Sequence, residues 1–524
     1  MIKRVWGRIT ARLALLSVLD RRSLAAFRIA LGLLVILDVV LRSFDLRAFY
    51  TDGGVLPRAD LIARFREEAH FSLLLSSGAP WFQVVIFVAT LITAGALALG
   101  YRTRTAALAT WILLVSIQRR NPLILQGGDV LFRIILFFAI LLPLSRCWSI
   151  DAARRKRGED SSSMDYRSIL GFAYVLQVAC MYILTGLIKW REKAWQDGYG
   201  LEYALELQMF TTRLGDLASQ LPTEILRFSN YALLGVEVFL PILLFIPWRV
   251  GLMRVVCMVT MVFFHVAVFL TLKVGLFGLI CCVAWVPLLP AGFWGWAQSR
   301  LGISGQLSSI PSTSAVGTAR GHDKPRMERW MGWIIVSMIV LWNLPNLHPK
   351  LDFAKARQLI RTPMLLFGLD QRWAMFSKPV VRDGWITIPG VQHNGNLIDL
   401  FTNEAYEGTK RPQSLSSRFE KDRWRKIWQN LMGSHKNHML GLGRYLCRRS
   451  GRNSDPAKRV EAFEIIMISE ELKPGGKRGD PRKSLLWRHE CVKGMIAKWK
   501  TKLPYDTMAL PTTPPKKEAV SKKP

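Results

Sequence analysis

"SILGFAYVLQVACMYILTGLIKWREKAW", residues 168–195, stays apolar almost throughout as far as Ile188 and then meets Lys189, Trp190 and Arg191 in succession. An apolar stretch near 20 residues is the length that crosses a bilayer as a helix. Lys189 closes that stretch, and two readings of it stand side by side. Its ammonium extends into the lipid headgroups, as lysines at helix ends do. Or the amine is partly buried, its charged form is disfavoured, and it is a base able to take a proton. Trp190, Trp195, Tyr199 and Tyr203 fit either one, as an interfacial aromatic belt or as the apolar walls of a site.

The pattern repeats along the chain. Half of the 524 residues are hydrophobic, and they gather in long blocks before about residue 347 rather than alternating with polar ones. Candidate spans fall at 24–44, 81–99, 105–118, 129–146, 168–189, 230–247, 251–272, 274–290 and 330–346, about nine by the length rule. The fold class is therefore a polytopic α-helical membrane bundle of about 8–9 spans, followed by a C-terminal soluble α+β domain at 347–502. Residues 1–23 form a basic segment whose Val5, Trp6, Ile9, Leu13 and Leu16 share one helix face and suit a surface-lying amphipathic helix. The 24–297 bundle is separated from the last span by a flexible linker at 298–329, and 503–524 reads as a disordered tail.

A net charge of +33 raises nucleic acid as a partner. Its distribution argues instead for membrane lipid, because the basic residues flank apolar blocks. Lys3 to Arg22, Arg102 and Arg104, "RCWSIDAARRKRG" and "ARGHDKPRMER" fall on one side if nine spans alternate, and that side is cytoplasmic. The loop 190–229, Lys189 at its edge and the C-terminal domain then lie outside.

In the soluble part, "WITIPGVQHNGNLIDLFT" is two apolar runs around Asn394-Gly395, a hairpin signal. "RFEKDRWRKIWQNLM" has helical spacing, and "VEAFEIIMI" and "SLLWRHEC" read as strands. Five cysteines lie in or beside apolar blocks without metal-ligand spacing, and no metal is expected. Cys447 and Cys491 are a candidate disulfide if this part faces an oxidising compartment. His435 and His438 in "HKNH" lack metal-ligating neighbours and read as an exposed face.

An ionisable group in hydrocarbon is costly, so each one is a functional candidate. They are Arg28, Asp38, Arg133, Glu237 and His265. Arg28 and Asp38 are separated by roughly 15 Å of helical rise and need partners from other helices. Arg133 and Glu237 offer opposite charges for an internal network. These residues either pair to hold helices in register or line a substrate cavity. His265 in "FFHVAVF" is either a satisfied core histidine or a proton carrier.

Four segments carry a resemblance: "LAAFRIALGLLVILDVVLRSFDLRAFYTDGGVLPR", "GLIKWREKAWQDGYGLEY", "VFFHVAVFLTLKVGLFG" and "GLDQRWAMFSKP". In their order they resemble the HTTM family, bacterial membrane proteins related to vitamin K-dependent gamma-carboxylase, over roughly residues 20–490. The resemblance implies a membrane pocket, a reduced quinone as cofactor, and Lys189 in the position of the base that deprotonates it. It also places His265 at the carboxylase's Phe-His pair and Glu237 at the acidic residue of the preceding helix. The chain departs at "QRRNPLILQGGDVLF", where Asn121 is retained and an arginine replaces the carboxylase histidine, and its C-terminal region is far shorter.

Two functions of different class follow. One is a gamma-carboxylase-like enzyme, lyase or oxidoreductase in type, acting on a lipid-soluble quinol at the outer face of a bacterial plasma membrane. Lys189 and His265 are its catalytic residues there, with Asn121, Glu237, Arg28, Asp38 and Arg133 around the substrate. The other is a non-enzymatic scaffold, sensor or lipid-binding partner of an envelope system.

Overall fold

The structure, a computed structural model, describes residues 14–64, 71–155, 164–301, 326–347, 354–408, 411–412, 415–419, 421–433 and 435–505. Residues 1–13 of the amphipathic segment expected at 1–23, residues 302–325 of the expected linker and residues 506–524 of the expected tail lie outside these, and the described end of the first is instead a strand, Val18–Asp20, paired with Asp165–Arg167 and followed directly by a helix. The long helices are α1 (Arg21–Ser43), α2 (Pro80–Leu99), α3 (Thr103–Arg120), α4 (Gly127–Leu141), α5 (Ile169–Trp190), α6 (Thr223–Phe239), α7 (Val250–Thr271), α8 (Phe277–Trp285), α9 (Ala291–Leu301) and α10 (Arg326–Leu347). Both ends of the expected linker are thus helical, at Leu301 and from Arg326.

Among the described residues, five helices are long and apolar enough to cross a membrane: α1, α2, α5, α6 with its extension to Phe245, and α7. A sixth span is possible by length if Phe277–Leu288 and Ala291–Arg300, bent by 99°, count as one broken segment. The expected eight to nine are thus not confirmed, and five to six spans are supported. Helix α3 carries Arg104, Arg119 and Arg120 within 18 residues. Helix α4 has only 15 residues, about 22 Å against a hydrocarbon core near 30 Å. Most of α4 is buried on every side, including Asp129 and Arg133, as expected of a helix enclosed by others. By contrast Phe228, Phe239 and Phe263 on α6 and α7 are each about 70% exposed, an apolar surface that water would not tolerate.

After α11 (Ala354–Leu366) comes a sheet built on one long strand. The strands are β1 (Arg382–Thr387), β2 (Pro389–Gln392), β3 (Leu397–Asp399), β4 (Glu404–Ala405), β5 (Val460–Lys473), β6 (Lys477–Arg478) and β7 (Arg482–Glu490). Strand β5 pairs antiparallel with β1 and β2 along one edge and with β7 along the other. The β2–β3 hairpin turns at Asn394-Gly395, where Gly395 takes φ +84°, a left-handed conformation that favours glycine. Two helices, α12 (Asp422–Met432) and α13 (Met439–Gly451), lie between the sheet's connections. Tyr505 is placed and Leu503 is fully buried, so order runs a few residues beyond the expected start of the tail.

This C-terminal part sits directly on the helical bundle. From α12, Arg423 pairs with Asp38 at 2.8 Å and with Asp129 at 3.4 Å. Lys421 pairs with Asp45 at 3.1 Å, and Asn430 donates to the Leu123 carbonyl at 2.7 Å. From α13, Arg448 donates to the Gly53 and Gly54 carbonyls. Cys447 of α13 is joined to Cys491, just past β7, by a disulfide.

Candidate functional site

Helix α5 carries the chemistry on one face. Tyr182 and Lys189 are seven residues apart, two turns, so they point the same way about 10 Å apart along the axis. Gly186, one turn before Lys189, allows the close approach of α6. A Cβ at Gly186 would stand 2.5 Å from Val238 Cγ2 and 3.1 Å from Glu237 Cβ. With glycine there, Lys189 Nζ donates to Glu237 Oε1 at 2.6 Å, and both side chains are buried. The Lys189 ammonium also lies 5.0 Å from the Trp195 ring. That ring is held in place: its Nε1 donates to the Phe376 carbonyl at 3.0 Å, and Asn230 donates to its backbone carbonyl.

Two turns back, Tyr182 Oη lies 2.6 Å from His265 Nε2 on α7. Trp285 Nε1 also donates to the Tyr182 oxygen at 3.0 Å. His265 Nδ1 has no partner among the described residues; neither has Glu237 Oε2. The His265 ring packs against Phe264 and Phe277. Two proton-bearing pairs, Lys189–Glu237 and Tyr182–His265, thus lie inside an otherwise aromatic and aliphatic interior.

The other sequence candidates do not join them. Arg28 donates to the carbonyls of Leu97, Ala98 and Trp148, closing the C-terminal end of α2 without a carboxylate hydrogen-bond partner among the described residues. Asn121 donates to the Phe49 carbonyl and accepts from Leu123 N–H, a turn-forming role. Asp38 belongs to a buried cluster with Arg42, Asp129 and Arg423. Arg133 lies 3.7 Å from Asp370, not beside Glu237, so the network expected from those two opposite charges does not form. His438 is buried, not on an exposed face, and its ring lies 6.3 Å from that of His435. Among the described residues no group of His, Cys, Asp and Glu is arranged to hold a metal ion.

Tyr182 and Trp285 escaped the sequence reading because neither is charged, yet the seven-residue spacing of Tyr182 from Lys189 was a usable signal. Arg42 and Asp129 sit at helix ends, and Arg423 comes from nearly 400 residues away. A cavity of about 1280 Å³ was also not foreseen; it lies between the bundle and the C-terminal part. Phe277, which packs on His265, and Phe376, which holds Trp195, both line it, whereas Lys189, Glu237 and His265 do not.

The HTTM domain family model matches residues 17–294. No curated protein and no solved structure shows a significant match to the chain. The matched segment spans more than half of the sequence and encloses Lys189, Glu237 and His265, and the protein belongs to the HTTM-domain family of membrane proteins.

Proposed function

We propose that the protein is a membrane-embedded enzyme in which the Lys189–Glu237 pair moves a proton to and from a lipid-soluble quinol. The observation that carries this reading is the enclosed 2.6 Å contact between the two side chains. In water an ammonium and a carboxylate stay charged. Burial penalises both charges, so the gap between the ion pair and the neutral amine–acid pair narrows. Passage of the proton from Nζ to Oε1 leaves an uncharged amine that can act as a base, with Glu237 as the matching acid. General base catalysis of this kind contributes about 10²–10⁴ to a rate.

The residues fit a reduced quinone. Two unpartnered buried polar atoms, Glu237 Oε2 and His265 Nδ1, stand among the rings of Trp195, Phe264 and Phe277, suited to a flat ring bearing oxygens. Bound there, a reduced quinone would supply an acidic hydroxyl. Tyr182 holds the His265 ring in place, and Phe277 and Trp195 exclude water. The resemblance to gamma-carboxylase supports the same assignment. The Cys447–Cys491 bond fits an oxidising compartment for the C-terminal part, and the basic loops fit a cytoplasmic N-terminus. Both support placement in a bacterial plasma membrane with the site toward the outer face.

A second reading takes Lys189–Glu237 as a clamp between α5 and α6 in a non-enzymatic envelope protein, since the pair joins those two helices directly. Oxygen-dependent oxidation of a reduced quinone by purified protein, with O2 as the electron acceptor, lost in a folded Lys189→Met variant, supports the enzyme. Absence of turnover in the wild-type protein with reduced quinones of several tail lengths supports the clamp.

A further inference from the structure

We propose that the 1280 Å³ cavity between the bundle and the C-terminal part binds an amphiphile bearing a phosphate headgroup. The charged lining has one origin. Both parts contribute apolar side chains, among them Phe210, Phe277 and Trp342 from the helical region and Met375, Met467 and Leu485 from the segments after it. The segments after α10 contribute the charge. Among the described residues, five arginines and three lysines line the cavity against one carboxylate, Asp370. Asp370 is already engaged by Arg119 and Arg133, and so does not neutralise the rest.

The clearest sign is Lys426. It is half-buried on α12 and has no ion pair or hydrogen bond among the described residues. Its neighbour Arg425 is committed to Asp422. Desolvation first, and the adjacent Arg425 charge, push the Lys426 ammonium below its ordinary pKa, while Asp422 and Asp129 act the other way. Such a cation gains from an incoming anion. Arg361, Arg372 and Lys378 stand exposed on the same lining without carboxylate partners among the described residues. Arg357 covers the Trp342 ring at 4.5 Å, at the seam between the charged and apolar walls.

The chemistry excludes simpler ligands. An apolar molecule leaves the cations uncompensated, and a free anion leaves the aromatic wall unused. A lipid lying with its tail on Phe277 and Trp342 and its phosphate toward Lys426 satisfies both walls. The inference is independent of the proposed role of Lys189.

The test uses full-length protein in phosphatidylcholine nanodiscs. Binding is followed by displacement of a fluorescent phosphatidic acid probe. Phosphatidylglycerol and a C15 isoprenyl diphosphate are the competitors, with inorganic phosphate as the third arm. The expected result is displacement by one or both amphiphiles but not by inorganic phosphate, with the stronger competitor identifying the source. Lys426→Gln should weaken probe binding about tenfold, the scale of one charge-assisted hydrogen bond. Arg372→Gln with Lys378→Gln, at exposed positions where folding is safe, should weaken it at least as much. Unchanged binding in both variants overturns the proposal, as does equal displacement by inorganic phosphate.

Discussion

Arg423 on α12 reaches across to Asp38 on α1 at 2.8 Å, so an arginine from the C-terminal part neutralises a carboxylate inside the helical bundle. Asp38 and Asp129 share Arg42 at 2.7 and 2.5 Å, and Arg423 is the second cation for two carboxylates. The cluster balances at two charges against two only when the parts are docked. Removing one partner of a buried pair costs about 3–5 kcal/mol because the remaining charge is stranded. Arg423→Ala should therefore lower thermal stability by a similar amount and speed proteolytic cleavage between the bundle and the sheet. Limited proteolysis with mass mapping checks this, and Arg423→Lys should recover part of the loss.

The Lys189–Glu237 pair gives a second stability test. Lys189→Met leaves Glu237 buried without its cation, and an unfolding penalty of about 3–5 kcal/mol is expected. Adding Glu237→Leu removes the stranded charge and should restore most of it, whichever function the pair serves. Unfolding midpoints of the single and double variants in detergent measure the coupling.

Glu206 follows the α5 span on the helix Gly200–Glu206, and its carboxyl is pushed up to about 7 by desolvation first and then by Glu202. A raised folded pKa means the native state holds its proton more tightly than the unfolded chain does. The stabilising contribution is full below the ordinary value of 4.5 and is lost as pH rises to about 7. Wild-type stability should fall across that window, and Glu206→Gln should flatten it. Melting temperature at half-unit pH steps reads the difference.

Cys447 and Cys491 close 44 residues between α13 and the end of β7. A crosslink of that span restricts the unfolded chain by about 2–4 kcal/mol. Replacing both cysteines by serine should lower stability by that amount, concentrated in the sheet. Hydrogen exchange of β5 and β7 amides, compared with those of α5, locates the effect.

Much of this was legible in the residues. The apolar blocks, the Asn394-Gly395 hairpin, the α12 helix and the long strand at "VEAFEIIMI" follow from periodicity and turn chemistry alone. The span count did not, because hydropathy cannot separate an enclosed helix such as α4 from one that faces lipid. For the site, Lys189, Glu237 and His265 stood out as charges in apolar surroundings, but their grouping depends on how α5, α6 and α7 pack. Arg28 and Asn121 show the opposite outcome: buried polar groups taken up by backbone carbonyls and turns. Partners such as Arg423, hundreds of residues distant, leave no local trace.

The central claim is that Lys189 moves a proton for a lipid-soluble quinol. Its most direct test is oxygen-dependent oxidation of reduced menaquinone by protein in nanodiscs, with O2 as the electron acceptor and Lys189→Met/Glu237→Leu as the folded comparison. The account predicts steady consumption by the wild type and a loss of at least about a hundredfold in the double variant, the lower bound for a general base. Equal consumption by both proteins would contradict it.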